Sequence, residues 1–366
     1  MKRWIPIILT VMLLLSGCDA WNYGEWFHVT PHQEKVEQPG SLDVEAKDYS
    51  SLIAALTATV ESGAESGLIF VPRYDQSAVE KDVQRAVEII MQINPFAAYA
   101  VENIRCQLGT KMGQSAIAVE IDYRYDKNEL SRVVRVKNME EGNAIIAKYL
   151  DACADRLLLY YESYKEVDFV QLVDDYADTY PQRVMETPQV KVSTYPDNGL
   201  SRIVELRFSY QTSRETLRSY QTTVGRIFES AALYVSSDAS AQEKYVQLYS
   251  FLMQLDNYEL KTSITPAYSL LRHGEGNAKA FATVYAAMCR QSGLNCMVVT
   301  GTRQGEAWYW NLVEDEVGWH HVDVIRCSQE GGFRKLEDQE METYVWDYAG
   351  YPAAQTPPQS TEPTTE

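Results

Sequence analysis

The chain has 366 residues with 33 basic and 51 acidic side chains, a formal net charge of −18. A body this acidic repels phosphate backbones and anionic lipid headgroups, which excludes nucleic acid as a ligand. No stretch beyond the first residues is apolar enough to cross a bilayer.

Lys2 and Arg3 give a positive start, and Ile7 to Leu15 form an apolar run well short of the roughly 20 residues a span needs. Residues 1–17 therefore read as a signal peptide. The run closes on Leu15-Ser16-Gly17-Cys18, which resembles the lipobox of bacterial lipoproteins. The resemblance implies cleavage before Cys18, palmitate-type acylation of its sulfur and new amine, and the lipid bilayer as a partner. Roughly two or three acyl chains, each buried methylene contributing about 0.8 kcal/mol, hold a protein stably at a membrane. The expected location is extracytoplasmic, lipid-anchored to the cell membrane. Residues 18–48, the lipidated Cys and a polar stretch holding Pro31, Pro39 and Gly40, read as a flexible tether.

With Cys18 acylated, Cys106, Cys153, Cys289, Cys296 and Cys327 remain. An odd number without C-x-x-C spacing argues against a disulfide framework and against a zinc site. Buried free thiols are the favoured reading, and a bridge between Cys106 and Cys153 stays open.

Residues 49–238 carry an internal repeat, in copies at about 49–152 and 153–238. In the first, the apolar run Leu68 to Val71 precedes a helical pattern from Ala78 to Gln92. Alternating runs at Ala100 to Leu108 and Ser115 to Tyr125 follow, then a helix from Met139 to Leu150. The order recurs as Leu157 to Tyr160, Phe169 to Tyr180, Gln189 to Tyr195, Ile203 to Tyr210, and Thr216 to Ala231. Val119-Glu-Ile-Asp-Tyr123 aligns with Val204-Glu-Leu-Arg-Phe208, with a Tyr two residues beyond each. Period-two alternation argues half-buried strands and the periodic segments argue covering helices. The expectation is an α+β fold with two tandem strand-helix-strand-strand-helix units. Neither unit holds a catalytic or ligand-spaced cluster, so both read as a spacer or binding module.

From Gln242 to Leu255 the pattern is a strong amphipathic helix. Beyond it, Ala267-Tyr268-Ser269-Leu270-Leu271 runs into Gly274-Glu275-Gly276-Asn277-Ala278-Lys279-Ala280. Ser292 to Gly301 then ends a helix and begins a strand, followed by Trp308-Tyr309-Trp310-Asn311 and Gly318-Trp319-His320-His321-Val322-Asp323. In order and spacing these segments resemble bacterial transglutaminase-like domains, over residues 239–350. The resemblance implies a papain-like fold. It also implies a catalytic Cys opening a helix, a His on a neighbouring strand and an Asp orienting that His. A Cys in a first helical turn meets unpaired backbone N–H groups that favour thiolate, and the His moves its proton.

Carried over by position, the nucleophile is Ala278, the base Trp308 and the acid Asp323. A methyl group cannot attack a carboxamide, and an indole N–H donates but cannot accept a proton. Only Asp323 survives of the triad, with Ala278 expected to face Trp308 across the cleft. Cys289 lies roughly 16 Å further along the helix axis, too deep to substitute. Trp308, Trp310 and Leu312 share one strand face, with Tyr309 and Asn311 opposite. Packing is the favoured role of that stripe. The functional alternative is a ligand groove lined by Trp308, Trp310, His321, Asp323 and the loop residue His273. Residues 351–366, rich in Pro, Thr, Ser and Glu, read as a disordered tail.

The expected function is a membrane-anchored lipoprotein with an inactive transglutaminase-like domain, binding a protein or cell-wall ligand. No cofactor and no metal is expected. The alternative is an active envelope cysteine-type hydrolase or acyl transferase using a different residue set.

Overall fold

A computed structural model describes residues 43–254, 266–274 and 276–355. The expected signal peptide, Cys18 and most of the expected tether lie outside the described residues. The chain divides into two compact units, Met1–Asp43 and Val44–Glu366, and the architecture below is that of the second. It is a mixed α+β body with three four-stranded sheets and, among the described residues, eleven α-helices. No described helix is long and apolar enough to cross a membrane.

The first sheet has the order β1-β2-β4-β3, from β1 (Asp43–Glu45), β2 (Ser66–Phe70), β3 (Val101–Lys111) and β4 (Gln114–Tyr123). Three helices belong with it: α1 (Tyr49–Glu61), α2 (Val79–Ile93) and α3 (Pro95–Ala100). Asp48 starts α1 by accepting the Ser51 N–H at 2.8 Å, satisfying one of the helix's orphan donors. Leu52, Ala55, Leu56 and Val60 of α1, with Val79, Val83, Ala86 and Ile90 of α2, form apolar stripes at helical spacing. These stripes close over Ile69, Ile117, Val119 and Ile121 of the strands.

After α4 (Lys127–Leu130) the second sheet uses the same order, β5-β6-β8-β7. Its strands are β5 (Val134–Val136), β6 (Arg156–Tyr161), β7 (Gln189–Tyr195) and β8 (Arg202–Ser209), with α5 (Met139–Asp151) and α6 (Phe169–Thr179) between them. The unbroken apolar run in β6 follows from burial on both faces. Leu157, Leu159 and Tyr161 pack with α5 and α6, while Leu158 joins the core of the first sheet. Arg156 ties the two sheets together. It donates to Glu205 at 2.6 Å and to the Tyr99 hydroxyl at 2.6 Å, and also pairs with Glu129.

Two expected boundaries shift. The helix at Met139–Asp151, expected to end a first copy, buries Ile146 and Leu150 against β6 and β8 of the second sheet. The division expected at 152/153 therefore falls ahead of β5. An apolar stripe specifies a face to bury but not the sheet that buries it. Likewise α7 (Arg214–Tyr234), expected to end a second copy, buries Leu217, Val224, Phe228 and Ala231 in the core of the C-terminal domain. A line at 238/239 would cut that core. Burial of Leu217, Val224 and Phe228 contributes roughly 1.5–3 kcal/mol each.

That domain continues with α8 (Ala241–Met253), α9 (Pro266–His273), α10 (Ala278–Gln291), β9 (Cys296–Arg303), β10 (Glu306–Glu314), β11 (Trp319–Val322), α11 (Val324–Gln329) and β12 (Tyr344–Trp346). Its sheet is antiparallel throughout, in the order β11-β10-β9-β12. Gln304 and Gly305, at φ 55 and 84, make the two-residue turn that folds β10 back on β9. One face of the sheet packs on α10 and its neighbours through Cys296, Val298, Val313 and Val322. The other face packs Val299, Trp310 and Leu312 under Leu336, Met341, Trp346 and Ala354. Ala354 is fully buried, so the start of the segment expected as a disordered tail is folded onto this face. Similarly, β1 lies within the stretch expected as tether.

Candidate functional site

Asn277 caps α10 by accepting the Ala280 N–H at 2.9 Å, which makes Ala278 the first helical residue. Ala278 is 8% exposed, and from Ala282 to Cys289 every residue of the helix is buried. Asn311 on β10 reaches across to this helix, its Nδ2 donating to Ala282 O at 2.9 Å. Lys279 stands 5.9 Å from the Tyr309 ring. Tyr309 and Asn311 therefore face α10, as strand alternation requires, and Trp308 and Trp310 face away.

On that far face Trp308 and Asp323 meet. The Trp308 indole donates to Asp323 Oδ2 at 2.8 Å, and the Tyr344 hydroxyl donates to the same oxygen at 2.7 Å. Arg303 Nη1 approaches it at 3.5 Å, and its guanidinium lies 5.2 Å from the Trp308 ring and 5.5 Å from the Tyr344 ring. The other carboxylate oxygen caps α11, accepting the Ile325 and Arg326 N–H groups at 3.0 Å each. The Asp323 side chain is 1% exposed. Burial and the bond to Asp323 push the Tyr344 phenol above its ordinary value, so it stays protonated.

His321 belongs to a second knot. Trp310 Nε1 donates to His321 Nδ1 at 2.8 Å, and His321 Nε2 lies 2.9 Å from Asp338 Oδ1. An indole only donates, so Nδ1 is the bare nitrogen and Nε2 carries the proton toward Asp338. Trp310 and His321 are both fully buried. Gly301 permits this closure, because a Cβ there would stand 2.3 Å from Val345 O and 2.8 Å from the Trp310 ring.

The sequence-derived site residues thus fall into separate places. Trp308 touches Asp323 as the triad positions require. Ala278 opens α10, which packs on the near face of the sheet, and the Trp308 indole packs with the far-face cluster. Trp310, His321 and Asp323 are too buried to line an open groove, because residues 336–354 cover them. His273 ends α9, and its side chain lies outside the described residues. Tyr344, Arg303 and Asp338 went unnoticed in the sequence. Tyr344 had a signal in the alternation of Tyr344-Val-Trp346, whereas Asp338 had none.

The described thiols are mostly buried. Burial pushes Cys289 and Cys327 above the ordinary thiol range, and pushes Cys106 to about 11. The described cysteines are free thiols, the reading the sequence favours, and Cys106 and Cys153, whose bridge it left open, pack against different cores. Among the described residues no group of His, Cys, Asp and Glu could hold a metal ion. Open space lies instead beside α10, in a cavity of about 440 Å³ lined by Asp174 and Asp178 of α6 and by Lys279, Ala280 and Thr283 of α10. Lys279 and Asp178 pair across it at 2.6 Å.

Residues 226–324 match the family model of the Transglutaminase-like superfamily. No curated protein matches the chain. A solved structure described as "Crystal structure of a TGase" is similar at 13% identity with a TM-score of 0.25, over 52% of this chain and 58% of that one. The chain thus aligns with little more than half the length of that structure. The sequence motifs and the family match coincide on one segment, and residues 226–324 are a transglutaminase-like domain.

Proposed function

We propose that this chain is a membrane-anchored extracytoplasmic lipoprotein whose transglutaminase-like domain is catalytically inactive and recognises a protein or cell-envelope component. The closure around Asp323 carries the reading. Its carboxylate is taken up by an indole, a phenol, a guanidinium and two backbone N–H groups. None of these accepts and returns a proton near neutral pH, and the helix start offers the methyl of Ala278. Recognition would use the cavity between α6 and α10, where Asp178 and Lys279 are both near half exposed.

We also read the first two sheets as copies of one strand-helix-strand-helix-strand-strand unit. The shared strand order supports this, as does the position of the aligned segments Val119–Tyr123 and Val204–Phe208 on β4 and β8.

Two measurements test the proposal. With an amine donor and a glutaminyl peptide at high protein concentration, turnover should equal the buffer control. Turnover abolished by Cys289→Ala would establish the cysteine-enzyme alternative instead. Metabolic labelling with a fatty-acid probe should mark the chain and fail on Cys18→Ala, and labelling that survives the substitution removes the anchor.

A further inference from the structure

The end of α6 and the start of α10 meet across the half-exposed ion pair of Asp178 and Lys279. Space lies on both sides of that pair. The cavity of about 440 Å³ has a neighbour of about 360 Å³, lined by Thr179, Arg290 and Tyr309, and the two share Asp178, Lys279 and Thr283 as walls. Asp174 and Asp178 lie four residues apart on α6, so both carboxylates stand on one side of the helix. Lys279 and Arg290, eleven apart on α10, fall within roughly 20° of one face. Arg290 reaches back to donate to Thr179 O, at the end of α6. The first cavity therefore holds two acids against one base, and the second holds two bases against one acid.

We infer that the two cavities form one bipartite site for a short dipolar peptide, its cationic group beside Asp174 and its carboxylate between Lys279 and Arg290. This rests on the reading of the larger cavity as the recognition site and names its ligand. Each cavity falls in the range of about 300–1,000 Å³ that ligand sites occupy. A ligand of one sign gains in one cavity and is repelled in the other, and only a ligand carrying both signs suits both. Gln171 and Thr187 in the first cavity and Thr300 in the second supply an amide and hydroxyls for peptide groups. The net charge of −18 draws the cationic end in first. A neutral glycan would leave the charges of both cavities unused.

Three blocked peptides, acetyl-Lys-Ala-Ala-Glu-amide, acetyl-Lys-Ala-Ala-Ala-amide and acetyl-Ala-Ala-Ala-Glu-amide, are titrated into the full chain by calorimetry at low salt. The first should bind about fivefold tighter than either of the others, the upper worth of one half-exposed ion pair. Asp174→Asn should weaken both lysine peptides and leave the glutamate-only peptide unchanged. Lys279→Gln should weaken both glutamate peptides and not the lysine-only one. Arg290→Gln, which keeps the Asp178–Lys279 pair, repeats the second test. Equal affinity for the three peptides, losses that do not sort by end, or no binding at millimolar peptide overturns the inference. An N-acetylhexosamine disaccharide that binds instead and weakens in Asp174→Asn overturns the peptide assignment while the cavity stands as the recognition site. Turnover in the amine-donor assay would end the inactive reading without altering these affinities.

Discussion

The two faces of the C-terminal sheet are made of opposite materials. Toward α10 it meets alanines, Val284, Met288 and a single amide, Asn311. On the far side stand Trp308, Trp310, His321, Asp323, Tyr344 and Arg303, each bonded to or stacked on another. The second face holds the groups that chemistry uses, yet they are spent on one another. Reactive residue types gathered in one place mark a site only when one of them keeps a lone pair or a proton open to a ligand.

The most severe way to break this contrast is Trp310→Ala. It empties a fully buried position and leaves His321 Nδ1 without its donor, so a loss of about 3–5 kcal/mol is expected from urea unfolding. A loss below about 1 kcal/mol would mean that the far face is not a core. Asp323→Asn keeps the shape but turns an amide toward the Trp308 N–H. The expected loss is roughly 2–4 kcal/mol, read from the same unfolding midpoint.

A smaller effect comes from His321. Burial holds its folded value below 6.5, outweighing the opposing pull of Asp338. The unfolded chain therefore binds the extra proton, and this contribution to stability is complete above pH 6.5 and declines as pH falls toward the folded value. His321→Gln should flatten that slope in unfolding midpoints taken between about pH 7.5 and about pH 5.5, one unit either side of the ordinary value. The smallest effect is expected from restoring the family residues. Ala278→Cys combined with Trp308→His should give no amine incorporation above buffer, because Asp323 stays taken up by Tyr344, Arg303 and two backbone N–H groups. Restored turnover would show that the closure around Asp323 does not block the chemistry.

Much of this was legible in the sequence. Alternation located β4, β8 and β10 and sorted Trp308 from Tyr309, because a strand's period is fixed by its backbone. Periodicity found α2, α5, α6 and α7 but could not say which sheet each covers. The helix at Met139–Asp151 joined the wrong sheet for that reason. The closure of the far face was hidden because it depends on β12 and on Asp338, which reach the site through loops with no period. Its acid was legible at Asp323 from the motif, but its partners Arg303 and Tyr344 come together only through the pairing of β9 with β12.

The placement of α7 has a consequence for how such chains recombine. The family match begins at residue 226, partway along a helix whose earlier turns hold Leu217 and Val224 in the same core. A gene exchange that respected only the matched segment would deliver a domain missing part of its own wall. The portable piece must begin at or ahead of Arg214, so the heritable module is longer at its front than the pattern by which it is recognised.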